Sequence, residues 1–194
     1  FILEDFVNIY GQLSEGQEVQ LPPRTTNYKM WAQKLVEFSQ SGKINQQLEF
    51  WRQNVEKYEP YELPRDFTGS ENTYGSVKQL TLSLNTDITT NLLQELPKKL
   101  GTQINQVLLT ALLRTLSPWT GENHLAVEME GHGREPLFDD VDLSRTVGWF
   151  TSIFCLNLEL KGQDLKEQIL TMREQLAAVP EHGVGYGILK YLKN

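Results

Sequence analysis

The run EGHGRE, at residues 130–135, is the densest group of side chains that could act in acid/base chemistry or bind a ligand. It brings two carboxylates, an imidazole and a guanidinium together directly after a predicted strand, and strand ends are where α/β proteins usually bind ligands. Its two glycines allow a sharp turn and the close approach of another group. With one histidine and no cysteine, the run fits no zinc motif. The residues alone leave two interpretations open, an acid/base site or a polar turn whose charges pair with one another.

Two further segments contain residue types that occur at functional sites. In DLSRTVGWFT, at residues 142–151, we expect Arg145 to pair with Asp142 or to cap a turn. The Gly-rich PEHGVGYG, at residues 180–187, is superficially similar to a phosphate-binding loop. It lacks both the dinucleotide-binding order of glycines and a following GK[ST], so it is weak evidence for nucleotide binding.

Hydrophobic periodicity predicts the elements that must position these segments. Thr25 and Thr26 are candidate N-caps of the second helix. A strand–helix–strand–strand–helix order after the first helices indicates an α/β layer structure. We divide the chain into a helical segment with a long connector, residues 1–75, and an α/β region, residues 76–194. The predicted helices are 1–13, 27–40, 44–58, a short one from 85 that Pro97 interrupts, 103–116 and 164–178; the predicted strands are 76–84, 124–130 and a β-rich run, 146–160.

Composition narrows the function classes. The 194 residues correspond to about one domain, and the net charge of -7 disfavours binding to nucleic acid. The longest apolar-rich run, residues 146–158, is shorter than the ~18 residues that a membrane span requires. A single cysteine, Cys155, excludes an internal disulfide framework and agrees with a cytoplasmic location. The chain begins at Phe1 within an amphipathic helix, so we expect a piece of a longer protein.

In order and spacing, these motifs resemble the C-terminal part of the condensation/epimerization superfamily of nonribosomal peptide synthetases, with the nearer resemblance to epimerization domains. EGHGRE is intact at 130–135, RTVGWFT is intact at 145–151, and the family's PxxGxGYG is present at 180–187. The segment 105–112 resembles a fourth family element. The resemblance implies an α/β fold, the C-terminal lobe of a chloramphenicol-acetyltransferase-like (CoA-dependent acyltransferase-type) domain with a mixed sheet and packed helices.

The sequence departs from the family pattern in two places. Cys155 stands where the family usually has proline, which affects only the local backbone shape. The family's HHxxxDG motif is absent, and its place would be just before Phe1, while the family's final strands would follow Asn194. We therefore expect the 194 residues alone to have no epimerase activity.

The resemblance implies a substrate and a mechanism. Such domains act on an aminoacyl or peptidyl thioester that a peptidyl carrier protein holds on its 4'-phosphopantetheine arm, and they invert the α-carbon. Inversion requires proton carriers on both faces of a planar enolate. One is expected to be the second histidine of HHxxxDG and the other Glu130, a role that a burial-raised pKa would favour. Tyr186 is expected to donate to the enolate oxygen, and Gly131 and Gly133 to let the thioester approach.

The resemblance also implies supporting residues and partners. His132, Arg134, Arg145 and Trp149 are expected to be structural, with Arg145 forming ion pairs and Trp149 packing where its loop bridges two lobes. The partners are a peptidyl carrier protein, the N-terminal lobe of the same domain and neighbouring synthetase modules, with no nucleic acid, membrane, metal or diffusible cofactor. The alternatives are a condensation domain that forms peptide bonds, a dual-function domain, and a non-catalytic remnant that docks carrier proteins.

Overall fold

A computed structural model of the chain describes residues 1–59, 61–67, 69 and 73–193. The predicted α/β class is confirmed, and most predicted helices and the strand at 124–130 are present with small shifts in their bounds. The predicted β-rich run 146–160 forms a strand only at Ser152–Glu159. The elements are α1 (Ile2–Ser14), α2 (Tyr28–Ser39), α3 (Gly42–Glu56), α4 (Thr86–Thr90), a π-helical turn (Asn91–Glu95), α5 (Leu96–Leu100), α6 (Ile104–Thr120), β1 (His124–Gly131), β2 (Ser152–Glu159), α7 (Leu165–Ala177) and α8 (Val184–Tyr191), with 3₁₀ turns at Tyr74–Ser76 and Pro180–Gly183.

The chain is divided into two compact units, each made of more than one stretch of sequence. The first unit contains three segments, Phe1–Arg52, Met129–Phe154 and Pro180–Asn194. The second contains Gln53–Glu128 and Cys155–Val179. The predicted connector therefore lies within the second unit, and residues 60, 68 and 70–72 of it lie outside the described residues.

The two strands form an antiparallel ladder. At one end the Leu160 N–H donates to the Asn123 carbonyl at 2.7 Å, and at the other end Gly131 lies beside Ser152. Alternate residues of β2 are buried, as expected for a strand with one face in a core. Within the described residues the sheet has these two strands.

The core of the first unit forms around α3 and α8. Ile44 is fully buried against Val184 and Ile188. The N-cap of α2 is Asn27, whose side chain accepts the Met30 N–H, and not the predicted Thr25 or Thr26. In the second unit, α6 packs on α7.

The predicted strand 76–84 is wrong for the described residues. Residues 77–85 have neither helical nor strand structure, and Leu80 and Leu82 are each 86% exposed. The alternation of apolar and polar residues indicates a segment that could form a strand with one buried face. A strand also requires a neighbouring strand to pair with, and the alternation does not predict whether one is present.

Two helices also differ from their prediction. Helix α8 was not predicted, because three glycines from 183 to 187 have low helix propensity. Its burial against Ile44 outweighs that preference. Helix α6 is apolar on several sides, a pattern that predicts extensive burial, yet Leu108 is 53% exposed. No helix of the described ranges is long and apolar enough to cross a membrane.

Glu159, at the end of β2, is the centre of a polar cluster in the second unit. Its carboxylate accepts a hydrogen bond from the Tyr58 hydroxyl and pairs with Lys57 at 3.3 Å and Lys161 at 3.0 Å. Burial opposes ionisation, but these three donors outweigh it and hold the pKa of Glu159 below its usual range. Burial, together with the Glu159 contact, raises the pKa of Tyr58.

This cluster predicts how stability depends on pH. Because folding lowers the pKa of Glu159, its stabilisation is present above the unfolded value of 4.5 and is lost as pH falls through the lower folded value. Glu159→Gln should therefore flatten the decline of the urea midpoint between about pH 5 and about pH 3. Glu174→Gln, an exposed change on α7, is the matched control. Equal pH slopes in the two variants would contradict the prediction.

Candidate functional site

The fold places all three motif segments in the first unit. EGHGRE begins in the last residues of β1 and continues as an irregular loop. RTVGWFT lies in the chain that leads into β2, and PEHGVGYG forms a tight turn that continues into α8. Segments far apart in the sequence therefore belong to one compact unit.

Glu130 is the next-to-last residue of β1, and its side chain is exposed. No hydrogen bond or ion pair of its carboxylate is found within the part of the chain that the structure describes. The burial expected for this carboxylate is therefore not provided by the described residues. The carboxylate is accessible for contact with another molecule.

Glu135 has the opposite surroundings. Its side chain is 4% exposed, and each carboxylate oxygen meets a different imidazole. Oε1 lies 3.2 Å from His132 Nε2, and Oε2 lies 2.7 Å from His182 Nδ1. The two interpretations of EGHGRE therefore apply to different carboxylates, since Glu135 is paired within the protein and Glu130 is not.

Arg134 ties the EGHGRE loop to the segment before β2. Its guanidinium donates to the Leu143 carbonyl at 2.5 Å and to the Thr146 carbonyl at 2.8 Å. It also lies over the Phe150 ring, 4.0 Å from the centroid. These contacts support the structural role expected for Arg134, because a guanidinium fork matches two carbonyls and stacks on an aromatic face.

The two glycines of EGHGRE allow a close approach, and the approaching groups belong to the protein itself. A β-carbon on Gly133, which has φ +70°, would lie 1.5 Å from the Phe150 carbonyl oxygen. A β-carbon on Gly131 would lie 2.8 Å from Ser152 Oγ and 3.2 Å from the His182 carbonyl oxygen. The positions that β-carbons would take at these two glycines are therefore occupied by neighbouring protein atoms.

The turn before α8 has an unusual backbone. Glu181 and His182 are consecutive non-glycine residues with positive φ, 45° and 47°, and Gly183 follows at 91°. Each non-glycine residue in this region costs about 1–2 kcal/mol, so the surroundings must hold the turn. The Glu135 contact to His182 and the Phe154 ring against Gly183 do so.

Arg145 and Trp149 differ from their predicted surroundings. Arg145 pairs with Glu4 at 3.0 Å and with Asp5, both in the first turn of α1, and not with Asp142. The Asp142 carboxylate instead accepts the Ser144 N–H at 2.8 Å. Trp149 is 80% exposed, so the described residues do not provide the packing expected for its side chain.

Tyr186 lies on α8, the helix that the Gly-rich sequence did not predict. Its half-buried ring packs edge-on against Trp51, with 5.1 Å between ring centroids. Trp51 also contacts Phe154 of β2, at 6.1 Å. This aromatic cluster fixes the position of the Tyr186 ring.

Sequence reasoning gave no role to Glu135 or His182. No pattern in EGHGRE shows which of its two carboxylates becomes buried, because the irregular loop after β1 decides that. The sequence also does not predict the left-handed backbone at His182, since such conformations are typical of glycine. Among the described residues, no group of three His, Cys, Asp or Glu side chains is arranged to hold a metal ion.

Comparisons with known proteins agree with these motifs. The family model described as Condensation domain matches residues 1–194. One of the linear gramicidin synthase proteins of Brevibacillus parabrevis is 45% identical over 192 residues, which cover 98% of this chain and 2% of that protein. Bacitracin synthase 2 from Bacillus licheniformis is 40% identical over 193 residues, which cover 99% of this chain and 7% of that protein. The chain thus spans a very small part of these much longer relatives.

Solved structures share the fold. The epimerization domain from the third module of tyrocidine synthetase B is 32% identical, with a TM-score of 0.86 over 100% of this chain and 43% of that one. The first condensation domain of the calcium-dependent antibiotic synthetase, in complex with a substrate analogue, is 16% identical, with a TM-score of 0.64 over 96% of this chain and 41% of that one. The likeness confirms the predicted chloramphenicol-acetyltransferase-like fold.

The contact at Gly133 predicts a large loss of stability on substitution. Gly133→Ala must place a β-carbon where the Phe150 carbonyl oxygen lies, at a positive φ. We expect the free energy of unfolding in urea to fall by about 3 kcal/mol, the sum of backbone strain and overpacking.

Gly187→Ala is the matched control, because a β-carbon there meets no atom within 4 Å and the residue is helical. It should leave stability unchanged or raise it by up to about 1 kcal/mol. Equal effects of the two substitutions would contradict the described packing of the loop.

Proposed function

The chain belongs to the condensation-domain family of nonribosomal peptide synthetases, and we propose that it is part of an epimerization domain. The complete domain would invert the α-carbon of an aminoacyl or peptidyl thioester. A peptidyl carrier protein would present this substrate on its 4'-phosphopantetheine arm.

The subtype is supported by both sequence and structure. The chain is 32% identical to an epimerization domain with a TM-score of 0.86, against 16% and 0.64 for a condensation domain. EGHGRE and RTVGWFT are both intact. The single observation that carries the proposal is the exposed Glu130 carboxylate at the end of β1, which no described residue pairs, while Glu135 is engaged within the protein.

Glu130 would act as one of two proton carriers. Its carboxylate takes the α-proton, and the C–H electron pair moves into the thioester carbonyl to form a planar enolate. A second acid on the opposite face then returns a proton to the same carbon, so the substrate changes configuration and not composition. The second histidine of an HHxxxDG motif in the N-terminal lobe would supply that acid.

Tyr186 is the proposed donor to the enolate oxygen. Its ring is fixed against Trp51, which limits the positions open to the hydroxyl. A pre-positioned donor stabilises charge as it develops, at no cost of reorganisation. The N-terminal lobe and the bound substrate would remove water from Glu130, which these residues alone leave exposed.

The second candidate function is peptide-bond formation. It is supported by the description of the matching family model, Condensation domain. A condensation domain would join an amine to the thioester carbonyl and release the carrier thiol, without exchange of the α-proton. The two functions therefore differ in product, a changed D/L ratio or a new amide bond.

The complete domain provides the test of Glu130. With an L-aminoacyl thioester on its carrier protein in deuterated water, deuterium should enter the α-position, as measured by mass spectrometry. Glu130→Gln should lower this exchange by about 10²- to 10⁴-fold, the usual contribution of a positioned acid or base. Folding should be unchanged, because the side chain is exposed.

Glu128→Gln removes an exposed carboxylate from the same face of β1 and is the matched control, expected to keep its exchange rate. Undiminished exchange in Glu130→Gln would remove Glu130 from the mechanism. A new amide bond without exchange would favour the condensation function, and neither product would favour a docking remnant.

A further inference from the structure

We propose that Glu135 is a positioning residue, a buried carboxylate that holds the turn before α8 against the backbone that follows Glu130. The proposal rests on the proposed function, because it concerns how the acid/base carboxylate is placed. The glutamate itself contacts no reacting atom. It acts through His182 and the neighbouring backbone.

The carboxylate and its two imidazole partners differ greatly in burial. The Glu135 side chain is 4% exposed, whereas the two imidazoles that meet it are 69% and 78% exposed. Burial of a carboxylate is costly unless it is paired, and here its oxygens meet a hydrogen bond from His182 and an ion-pair contact from His132. The exposed histidines are therefore held in place by the buried group.

The hydrogen bonds also determine where the imidazole protons lie. The Arg134 backbone N–H donates to His132 Nδ1 at 3.0 Å, so this nitrogen carries no proton. The proton of His132 is then on Nε2, which faces Glu135. At His182, Nδ1 must carry a proton, because its partner at 2.7 Å is a carboxylate oxygen.

The contact between Glu135 and His182 affects Glu130 through the backbone of Gly131. His182 has a positive φ of 47°, a conformation that its surroundings must maintain. Its carbonyl oxygen would lie 3.2 Å from a β-carbon on Gly131, so the turn rests on the residue directly after Glu130. Loss of the Glu135 contact removes one of the two supports of this turn and leaves the Phe154 ring against Gly183 as the other.

The contact has a spectroscopic signature that can be measured on the 194-residue chain. The sequence has three histidines, and His124 lies elsewhere, stacked on Tyr58 at 4.0 Å, so it is an internal control. Long-range ¹H–¹⁵N spectra should show His132 protonated on Nε2 and His182 protonated on Nδ1. Glu135→Gln has one acceptor oxygen in place of two, so at least one of these imidazoles should change its nitrogen signals while His124 keeps its own.

Activity of the complete domain tests the positioning role. Glu135→Gln and His182→Gln should each lower the rate of α-deuterium exchange at saturating substrate by about tenfold, with an unchanged KM, because only the geometry of the reacting group is altered. The double variant should be no slower than the slower single variant, since both act through one contact. Glu181→Gln, an exposed change in the same turn, should keep the full rate.

The outcomes separate this proposal from the proposed function. Unchanged histidine signals in Glu135→Gln, additive losses in the double variant, or full exchange in both single variants would overturn the positioning role. If Glu135→Gln failed to fold, His182→Gln, which removes only an exposed ring, would still test the rate. Shifted histidine signals together with full exchange in Glu130→Gln would overturn the role of Glu130 and leave the Glu135 contact standing.

Discussion

One buried carboxylate, that of Glu135, connects two of the three motif segments. Glu135 is almost fully removed from water, and burial of a carboxylate is costly unless it has partners. The partners come from two different places in the chain: His132 in the same loop makes an ion-pair contact, and His182 in the turn before α8 is hydrogen-bonded. Satisfying a single side chain therefore brings together segments that are almost 50 residues apart.

Backbone packing adds a second constraint of the same kind. The Phe150 carbonyl occupies the place of a Gly133 side chain, and the Arg134 guanidinium donates to two carbonyls of the segment that follows. Polar backbone groups in such irregular loops need partners when they are buried. Here a glycine makes the close approach possible, and an arginine donates to the carbonyls of two buried residues, Leu143 and Thr146, so the loops are ordered without regular secondary structure.

These constraints leave the two carboxylates of EGHGRE with different surroundings. Glu135 is enclosed and paired, whereas Glu130, at the end of the strand, is open and no described residue pairs it. A rigid support next to an accessible acid or base is what proton transfer at carbon requires, because the rate depends on the placement of the reacting group. The proposed epimerization chemistry uses this contrast between the two glutamates.

The sequence by itself determined the family, the α/β class, most helices and the segments that carry the site, because motif spacing and hydrophobic periodicity are properties of the chain alone. It did not reveal that Glu135 is buried, that Arg145 pairs with α1, or that the Gly-rich segment continues as α8. It also predicted a strand at 76–84 that the structure lacks. Burial, ion-pair choice and strand pairing depend on which distant residues become neighbours, and only the tertiary structure decides that.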